Sequence, residues 1–341
     1  MLKIGVVGIG RMGSHHVDMY QKLISNGADI ELAAICDVEQ SRLDGTTTHV
    51  FNMGTERARD LSSINKYTSI DEMLSYETLD IVDVVAPTYL HCELSCKALE
   101  AGCDVMCEKP MALNAEQCDR MLETAKKHGR LLMIGQCLHF WREYVYLQEV
   151  IKQKTFGEVK GGYFWRGGYA DHENNPSWHD WIITADKGGG GLFDQHIHDT
   201  DFVRLCFGEP QGVLTTARKY FKDSADDIVS TNYIYSDKVI SATDDIAYVG
   251  YPFSFGYRVD MQTATVEFDR GVVTVYPHRE EAYNPDVTEY GTTDDAYYNE
   301  IEYFIGCVKT RTYPVRCKPE DAKASVMLAL KEAESAKKNR L

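Results

Sequence analysis

The feature that most constrains this chain stands at its start. A short apolar run, residues 2–9, leads directly into Gly8-Ile-Gly10-Arg-Met-Gly13, and a helical pattern follows through Tyr20 and Leu23. A strand that ends in G-x-G-x-x-G and opens a helix leaves few folds, because each glycine answers a separate steric demand. Gly8 allows the tight turn, Gly10 lets backbone N–H groups come close to a pyrophosphate, and Gly13 lets helix and strand approach each other. The helix N-terminus adds partial positive charge where phosphates would lie, which places Arg11 and Met12 at the cofactor as well. A second strand, Glu31 to Cys36, stops at Asp37, somewhat beyond the usual ~20-residue spacing of the ribose-binding acid. A carboxylate there accepts hydrogen bonds from ribose hydroxyls and repels a 2′-phosphate. Val38 follows instead of Arg or Lys, so NAD(H) is expected in preference to NADP(H).

The same alternation continues downstream. Ile81 to Ala86, Asp104 to Cys107 and Leu131 to Ile134 are apolar strands, with helical stretches at Leu94 to Ala101 and Ala115 to His128. Short, fully apolar strands alternating with helices form a parallel sheet covered on both faces. After about residue 150 the texture changes. Val213 to Tyr220, Val229 to Tyr235, Thr263 to Phe268 and Val272 to Tyr276 are strand-like and rich in Thr and Tyr, and Pro319 to Lys338 closes the chain as an amphipathic helix. Strands in succession without helices between them imply an open, mostly antiparallel sheet. The expected division is an α/β dinucleotide-binding domain over 1–125 and an α+β domain over 126–341.

Composition narrows the classes further. A length of 341 residues, 44% apolar and 26% charged, suits two globular domains. No apolar run approaches the ~18 residues of a membrane span, and the first ten residues are strand-like, unlike a cleavable signal; a cytoplasmic location is expected. The ten cysteines include no Cys-x-x-Cys pair, so reduced, buried thiols are expected rather than disulfides or zinc. Thirty-six Lys and Arg against 52 Asp and Glu leave a net charge of −16, which repels phosphate backbones and excludes nucleic acid as a partner.

Three segments carry candidate chemistry. Glu108-Lys109-Pro110 follows a strand of the parallel sheet, and ligands in such folds sit beyond the carboxyl ends of the strands. Pro87-Thr88-x-x-His91 follows another strand end, and Gln136 a third. The glycine run from Gly188 leads into Asp194-Gln-His196-Ile-His198-Asp199-Thr-Asp201. Asp194 and His198 are four apart and would share a helix face, so the carboxylate can orient the imidazole and stabilise its charged form, as a general base requires. His196 and Asp201 are rival members of the cluster. No tetrahedral Cys/His set accompanies it, so no metal is expected.

The ordered set G-x-G-x-x-G, Pro-x-x-x-His, Glu-Lys-Pro and G-G-G-x-x-x-Asp-x-x-x-His-x-x-Asp resembles the Gfo/Idh/MocA oxidoreductases, from about residue 3 to at least residue 205. That family includes glucose–fructose oxidoreductase, inositol dehydrogenases and sugar dehydrogenases. The resemblance implies a Rossmann domain, an α/β domain with an open antiparallel sheet, and assembly as a homodimer or homotetramer. It makes Lys109 the lysine that contacts the reacting hydroxyl, and Asp194 with His198 the catalytic pair, His198 being the acid/base. Gly8, Gly10, Arg11, Met12, Gly13, Asp37, Pro87, Thr88, His91, Glu108, Lys109 and Gln136 become the cofactor contacts.

The chain also departs from the family pattern. Many relatives carry Arg-Phe and then Pro after the last Rossmann strand, where His139-Phe-Trp-Arg142 stands here. Residues 163–181 carry Trp165, Arg166, Tyr169, Asp171, His172, Trp178 and Trp181, a mixture of aromatic faces and polar arms that suits a polyol. His139, Arg142, Trp165, Arg166, Trp181 and His196 are the candidate substrate contacts. The expected activity is hydride exchange between NAD(H) and a carbinol carbon of a sugar, sugar derivative or cyclitol. Two alternatives remain, a glycosidase acting by transient oxidation and elimination, and a non-catalytic dinucleotide-binding regulator.

Overall fold

The computed structural model describes residues 1–45, 59–168, 181–248 and 250–339. The chain divides into two compact units, one of Met1–Cys137 with Tyr297–Lys323, the other of Leu138–Ala296 with Ala324–Leu341. The first contains β1 (Leu2–Val7), α1 (Arg11–Ser25), β2 (Ile30–Cys36), α2 (Gln40–Leu43), β3 (Asn65–Tyr67), α3 (Ile70–Tyr76), β4 (Ile81–Val84), α4 (His91–Glu100), β5 (Asp104–Glu108), α5 (Ala115–His128) and β6 (Leu132–Gly135). Its sheet has the order β3-β2-β1-β4-β5-β6, every pair parallel. The strand order reverses between β1 and β4, the topological switch point at which such sheets bind their ligands. Apolar residues on both faces make this possible: β4, β5 and β6 are buried at every position. The boundary expected after residue 125 falls too early, because β6 completes this sheet and cannot be separated from it.

The second unit contains α6 (Arg142–Lys152), β7 (Val159–Gly167), α7 (Ile197–Phe207), β8 (Gly212–Arg218), β9 (Ile228–Ile234), β10 (Val239–Asp245), β11 (Ser254–Met261), β12 (Ala264–Asp269) and β13 (Val272–Pro277). Its seven strands run in the order β13-β12-β11-β7-β10-β9-β8. All pairs are antiparallel except β7 with β10. Tyr144 of α6 meets Phe202 of α7 at 4.8 Å and Tyr257 of β11 at 5.3 Å, while Phe164 of β7 meets Phe202 at 6.1 Å. These edge-on aromatic contacts, each worth about 0.5–1.5 kcal/mol beyond area burial, define the face on which α6 and α7 lie. The chain then enters α8 (Ala296–Thr310), which belongs to the first unit from Tyr297 on, and α9 (Pro319–Lys338), whose residues from Ala324 belong to the second. All ten cysteines are free thiols, and nine of them are buried. No helix of the described residues is long and apolar enough to cross a membrane.

Beneath α7 and α9 the second unit buries a polar cluster. Glu332 is fully buried and accepts from Thr200 Oγ1 at 3.1 Å, which also meets Tyr233 Oη at 3.1 Å. His196, also fully buried, faces Thr231 Oγ1 at 3.2 Å and lies 3.9 Å from Glu332. Burial, ahead of the Arg166 charge, pushes His196 down to about 3, and burial pushes Glu332 up to about 8 against the bonds from Tyr233 and Thr200. Both are therefore neutral near pH 7, and their approach is not an ion pair.

The two shifts have opposite linkage. The Glu332 contribution is complete below its ordinary 4.5 and is lost as pH climbs toward about 8. The His196 contribution is complete above its ordinary 6.5 and is lost as pH falls toward about 3. Thermal melts across pH should therefore show the alkaline decline flattened in Glu332→Gln and the acid decline flattened in His196→Gln. A Glu332→Gln protein with the wild-type alkaline slope would contradict the assignment.

Candidate active site

The candidate residues divide between the units: Gly8 to Gln136 belong to the first, His139 to Asp201 to the second. In the first, the glycine loop follows β1 and has the geometry its sequence demands. Gly8 has φ +93°, and a Cβ there would collide with the Val85 carbonyl, while a Cβ on Gly13 would run into the Gly8 carbonyl oxygen. Gly10 differs, since a Cβ there would meet nothing within 4 Å. Helix α1 starts with no side-chain cap and no acidic residue in its first turn, so its N-terminal donors face no competing carboxylate. Arg11 and Met12 open that helix, Arg11 exposed and Met12 half-buried. These residues fit a dinucleotide pyrophosphate: open space in front of Gly10, donors behind it.

Asp37, at the end of β2, is nearly buried, and its carboxylate is fixed by two backbone donors, Ile9 N–H at 2.7 Å and Glu39 N–H at 2.9 Å. Arg42 stands 3.4 Å from it. Pro87, Thr88 and His91 follow β4, with Thr88 and His91 buried. Both ring nitrogens of His91 face carbonyl oxygens, Nδ1 that of Pro110 and Nε2 that of Ala86, each at 2.8 Å. Burial pushes His91 down, and the two carbonyls pull the other way. The His91 ring thus bridges the main chain at the β4 end to the main chain of the loop after β5. Gln136 is buried after β6, and its carbonyl faces the Cys317 thiol at 3.9 Å.

Glu108 and Lys109 follow β5, with a cis peptide between Lys109 and Pro110. Glu108 is buried and spends one oxygen on the Lys109 N–H at 3.1 Å and the other on His16 Nε2–H at 3.1 Å. His16 Nδ1–H donates to Asp83 Oδ2 at 2.8 Å, which also accepts from Tyr20 at 3.0 Å. Burial opposes the charge on His16, yet Asp83 and then Glu108 hold it protonated, well above the ordinary imidazole range. Burial likewise opposes the Glu108 carboxylate, and the bond and charge of His16 outweigh it, so Glu108 titrates low. His16 and Asp83 were missed in the sequence. The available signal was Asp83 itself, an acid inside the apolar strand Ile81-Val-Asp-Val, which needs a buried partner.

In the second unit Asp194 lies on a turn of π-helix, Leu192–His196, that runs directly into α7, which carries His198. Single π turns inside helices recur at functional sites, and this one changes the face assignments a plain α-helix predicts. His198 is nearly buried, Asp194 half-buried. His196 points into the polar cluster under α9, so it does not stand with Asp194 and His198 as a substrate contact. Asp201 is buried between His139 Nε2 and Ser325 Oγ, each at 2.6 Å; the two rivals of the cluster are thus structural partners of the core. His139 is nearly buried in that pair. Arg142 spends its guanidinium on the Gly291 carbonyl and the Asp294 carboxylate.

Arg166 is buried and pairs with Asp199 through two contacts, 3.2 and 3.3 Å. Trp165, one residue earlier on β7, stacks on Tyr163 at 5.6 Å. Successive strand residues point to opposite faces, so Trp165 lies on the face away from Arg166 and α7, and the two cannot line one pocket. Trp181 is half-buried, its carbonyl accepting from Thr184 Oγ1 at 2.9 Å. Tyr169, Asp171, His172 and Trp178 lie outside the described residues. Asp244 of β10, not singled out in the sequence, is fully buried, and neither oxygen meets a hydrogen-bond partner among the described residues. Burial holds it protonated, Arg166 opposing and Asp199 and Asp194 adding to the shift. No group of three or more His, Cys, Asp or Glu among the described residues could hold a metal ion.

Comparisons with known proteins identify the family to which the two units belong. Residues 2–136 match the oxidoreductase family with an NAD-binding Rossmann fold, and residues 144–277 match the GFO/IDH/MocA C-terminal domain. An uncharacterized oxidoreductase of Streptococcus pneumoniae is 30% identical over 70% of this chain and 60% of its own length. The 2,7-anhydro-N-acetylneuraminate hydratase of Mediterraneibacter gnavus is 34% identical over 55% of this chain and 46% of its own length. The chain thus spans about half of the length of the curated relatives it matches. The WlbA dehydrogenase of Bordetella pertussis, solved with NADH and UDP-GlcNAcA, shares the fold with a TM-score of 0.82 at 18% identity, over 98% of this chain and 96% of that one.

The glycines give a test that separates folding from binding. Gly13→Ala should lower stability by about 1–3 kcal/mol through overpacking and abolish NADH binding. Gly10→Ala, which has room, should keep the wild-type Tm yet weaken NADH binding at least about tenfold, roughly 1.4 kcal/mol. Differential scanning fluorimetry with NADH titration reads both, and wild-type affinity in Gly10→Ala would refute the placement of the pyrophosphate.

Proposed function

The chain belongs to the Gfo/Idh/MocA oxidoreductases, and from that premise we propose that it exchanges a hydride between NAD(H) and a carbinol carbon of a sugar or sugar derivative. The observation that carries the reading is that the glycine loop, Asp37 and Lys109 all leave one edge of one parallel sheet. That is the edge where such folds gather ligands. NAD⁺, when bound, supplies the hydride acceptor at nicotinamide C4. The rest falls to side chains. His198 takes the hydroxyl proton as the hydride departs from the same carbon. Asp194, four residues earlier on the π turn, steadies the imidazolium that results. Lys109 meets the negative charge developing on the oxygen. The fixed Asp37 carboxylate favours NAD(H), because a 2′-phosphate would meet it directly. The nearby Arg42 is shared between that carboxylate and Glu39.

A second reading is favoured by several relatives. A hydratase adds or removes water without net oxidation, and the M. gnavus protein bears that name. The same side chains would serve a transient oxidation in which the hydride returns to the substrate after elimination. A sugar panel with NAD⁺ separates the two, since net oxidation raises NADH absorbance and the cyclic reaction yields product at constant absorbance.

Lys109→Ala and His198→Ala should each lower kcat by about 10²-fold or more while NADH affinity changes by less than about threefold. Wild-type turnover in either variant would remove that residue from the reaction. Asp37→Ser should shift preference toward NADPH at least about tenfold, by removing the repulsion and one of the two carboxylates that hold Arg42.

A further inference from the structure

The proposed reaction uses none of the ten cysteines, and two pairs of them stand four residues apart, Cys92 with Cys96 and Cys103 with Cys107. The spacing is the same, and the backbone decides what it yields. Cys107 lies in β5 and Cys103 directly before it, and along a strand four residues span about 13 Å. Cys92 and Cys96 both lie on α4, where positions i and i+4 bring Cβ atoms to about 5–6 Å on one face. We propose that Cys92 and Cys96 form a dithiol site that chelates a trivalent arsenical, R–As(III), through two sulfur–arsenic bonds. Two sulfurs suffice for such a centre, because its third bond is carried by its own organic group.

Both thiols face α5. Cys92 Sγ lies 3.4 Å from the Gln117 carbonyl oxygen, and Cys96 Sγ lies 3.9 Å from that of Arg120 and 3.5 Å from Thr124 Oγ1. The two thiols also hydrogen-bond to each other. That bond from Cys92 holds the Cys96 thiol below its ordinary range, with burial opposing and Thr124 and the Arg120 charge assisting. A thiolate is the form that bonds to a soft centre. An internal disulfide is closed to the pair, because it needs Cβ atoms about 3.5–4.5 Å apart, nearer than an intact helical turn brings them. An arsenic atom between the sulfurs bridges the wider gap and leaves α4 helical. Entry is from one side. Cys92 lines a cleft of about 350 Å³ together with Tyr89, Glu93, Asn114, Gln117 and Arg120, and Cys96 stands one helical turn further along α4. The first bond therefore forms at Cys92 and the second at Cys96, while the organic group of the arsenical occupies the cleft. The exchange balances without an oxidant: R–As=O takes up two thiols, two As–S bonds replace the bonds to oxygen, and the oxygen leaves as water with both thiol protons. Arsenic stays trivalent throughout.

Phenylarsine oxide added to the native full chain tests the site, with intact-mass spectrometry as the readout. Excess glutathione strips arsenic held by one sulfur, and 2,3-dimercaptopropanol strips arsenic held by two. The folded wild-type chain should keep a single phenylarsenic adduct through the glutathione wash and lose it to dimercaptopropanol. Cys92→Ser and Cys96→Ser should each reduce the glutathione-resistant adduct at least about tenfold, because the second bond of a chelate forms at high effective concentration. Cys103→Ser should leave it unchanged. If a serine variant does not fold, peptide mapping of the wild-type adduct decides, since the tryptic peptide ending at Lys97 carries both Cys92 and Cys96. Arsenic on that peptide supports the site, and arsenic on any other overturns it. No resistant adduct on the folded wild-type chain, an adduct that forms only after unfolding in urea, or a wild-type level in folded Cys92→Ser or Cys96→Ser overturns it as well.

Discussion

Every strand of the first sheet runs in the same direction, and most of the chemistry of that unit depends on this one constraint. A parallel sheet sends all its carboxyl ends to one edge, so each loop that follows a strand emerges beside the others. The glycine loop follows β1, Asp37 follows β2, Pro87 follows β4, Lys109 follows β5 and Gln136 follows β6. Residues spread over about 130 positions of sequence reach one edge with no long-range signal between them. The apolar character of β4 to β6 is what permits it, since a sheet covered on both faces tolerates only such strands. The acids inside those strands are admitted because each is satisfied: Asp83 by His16 and Tyr20, Asp104 by the Leu131 N–H and Arg311, Glu108 by His16 and the Lys109 N–H.

The two units solve the problem of buried charge in different ways. In the first, His16 carries a single charge that two carboxylates, Asp83 and Glu108, both face. In the second, His196, Glu332 and Asp244 shed their charges, while Arg166 pairs with Asp199. Coulomb attraction compensates desolvation only when partners stand at hydrogen-bond distance. His16 has such partners on both ring nitrogens. His196 has a hydroxyl at 3.2 Å and a carboxyl at 3.9 Å, and neutrality is the cheaper state.

Much of the first unit was legible because its signals are local. A glycine triplet, a strand end and a following helix lie within a dozen residues, and steric rules translate them directly. The second unit was legible in class but not in detail. Its sheet is mostly antiparallel as expected, yet the assignment of Trp165 and Arg166 to one pocket ignored the alternation of β7. The grouping of His196 with His198 missed the π turn, which no residue pattern announces. The boundary at 125 disagrees with the strand pattern itself: Leu131 to Ile134 reads as a strand of the parallel sheet, and a division at 125 cuts it off from that sheet. His16 was passed over because a histidine in an amphipathic helix looks ordinary until its neighbours from β4 and β5 are known.

The return of α8 to the first unit bears on how the protein can come into being. Asp104, buried in β5, pairs with Arg311, and the Gln136 carbonyl faces Cys317. Neither partner exists on the ribosome until more than 150 residues after β6 have been made. The nucleotide-binding half is therefore not a module that closes when its sheet is complete. It waits, with the Asp104 carboxylate still without its cation, until α8 and the Arg311 that follows it have emerged.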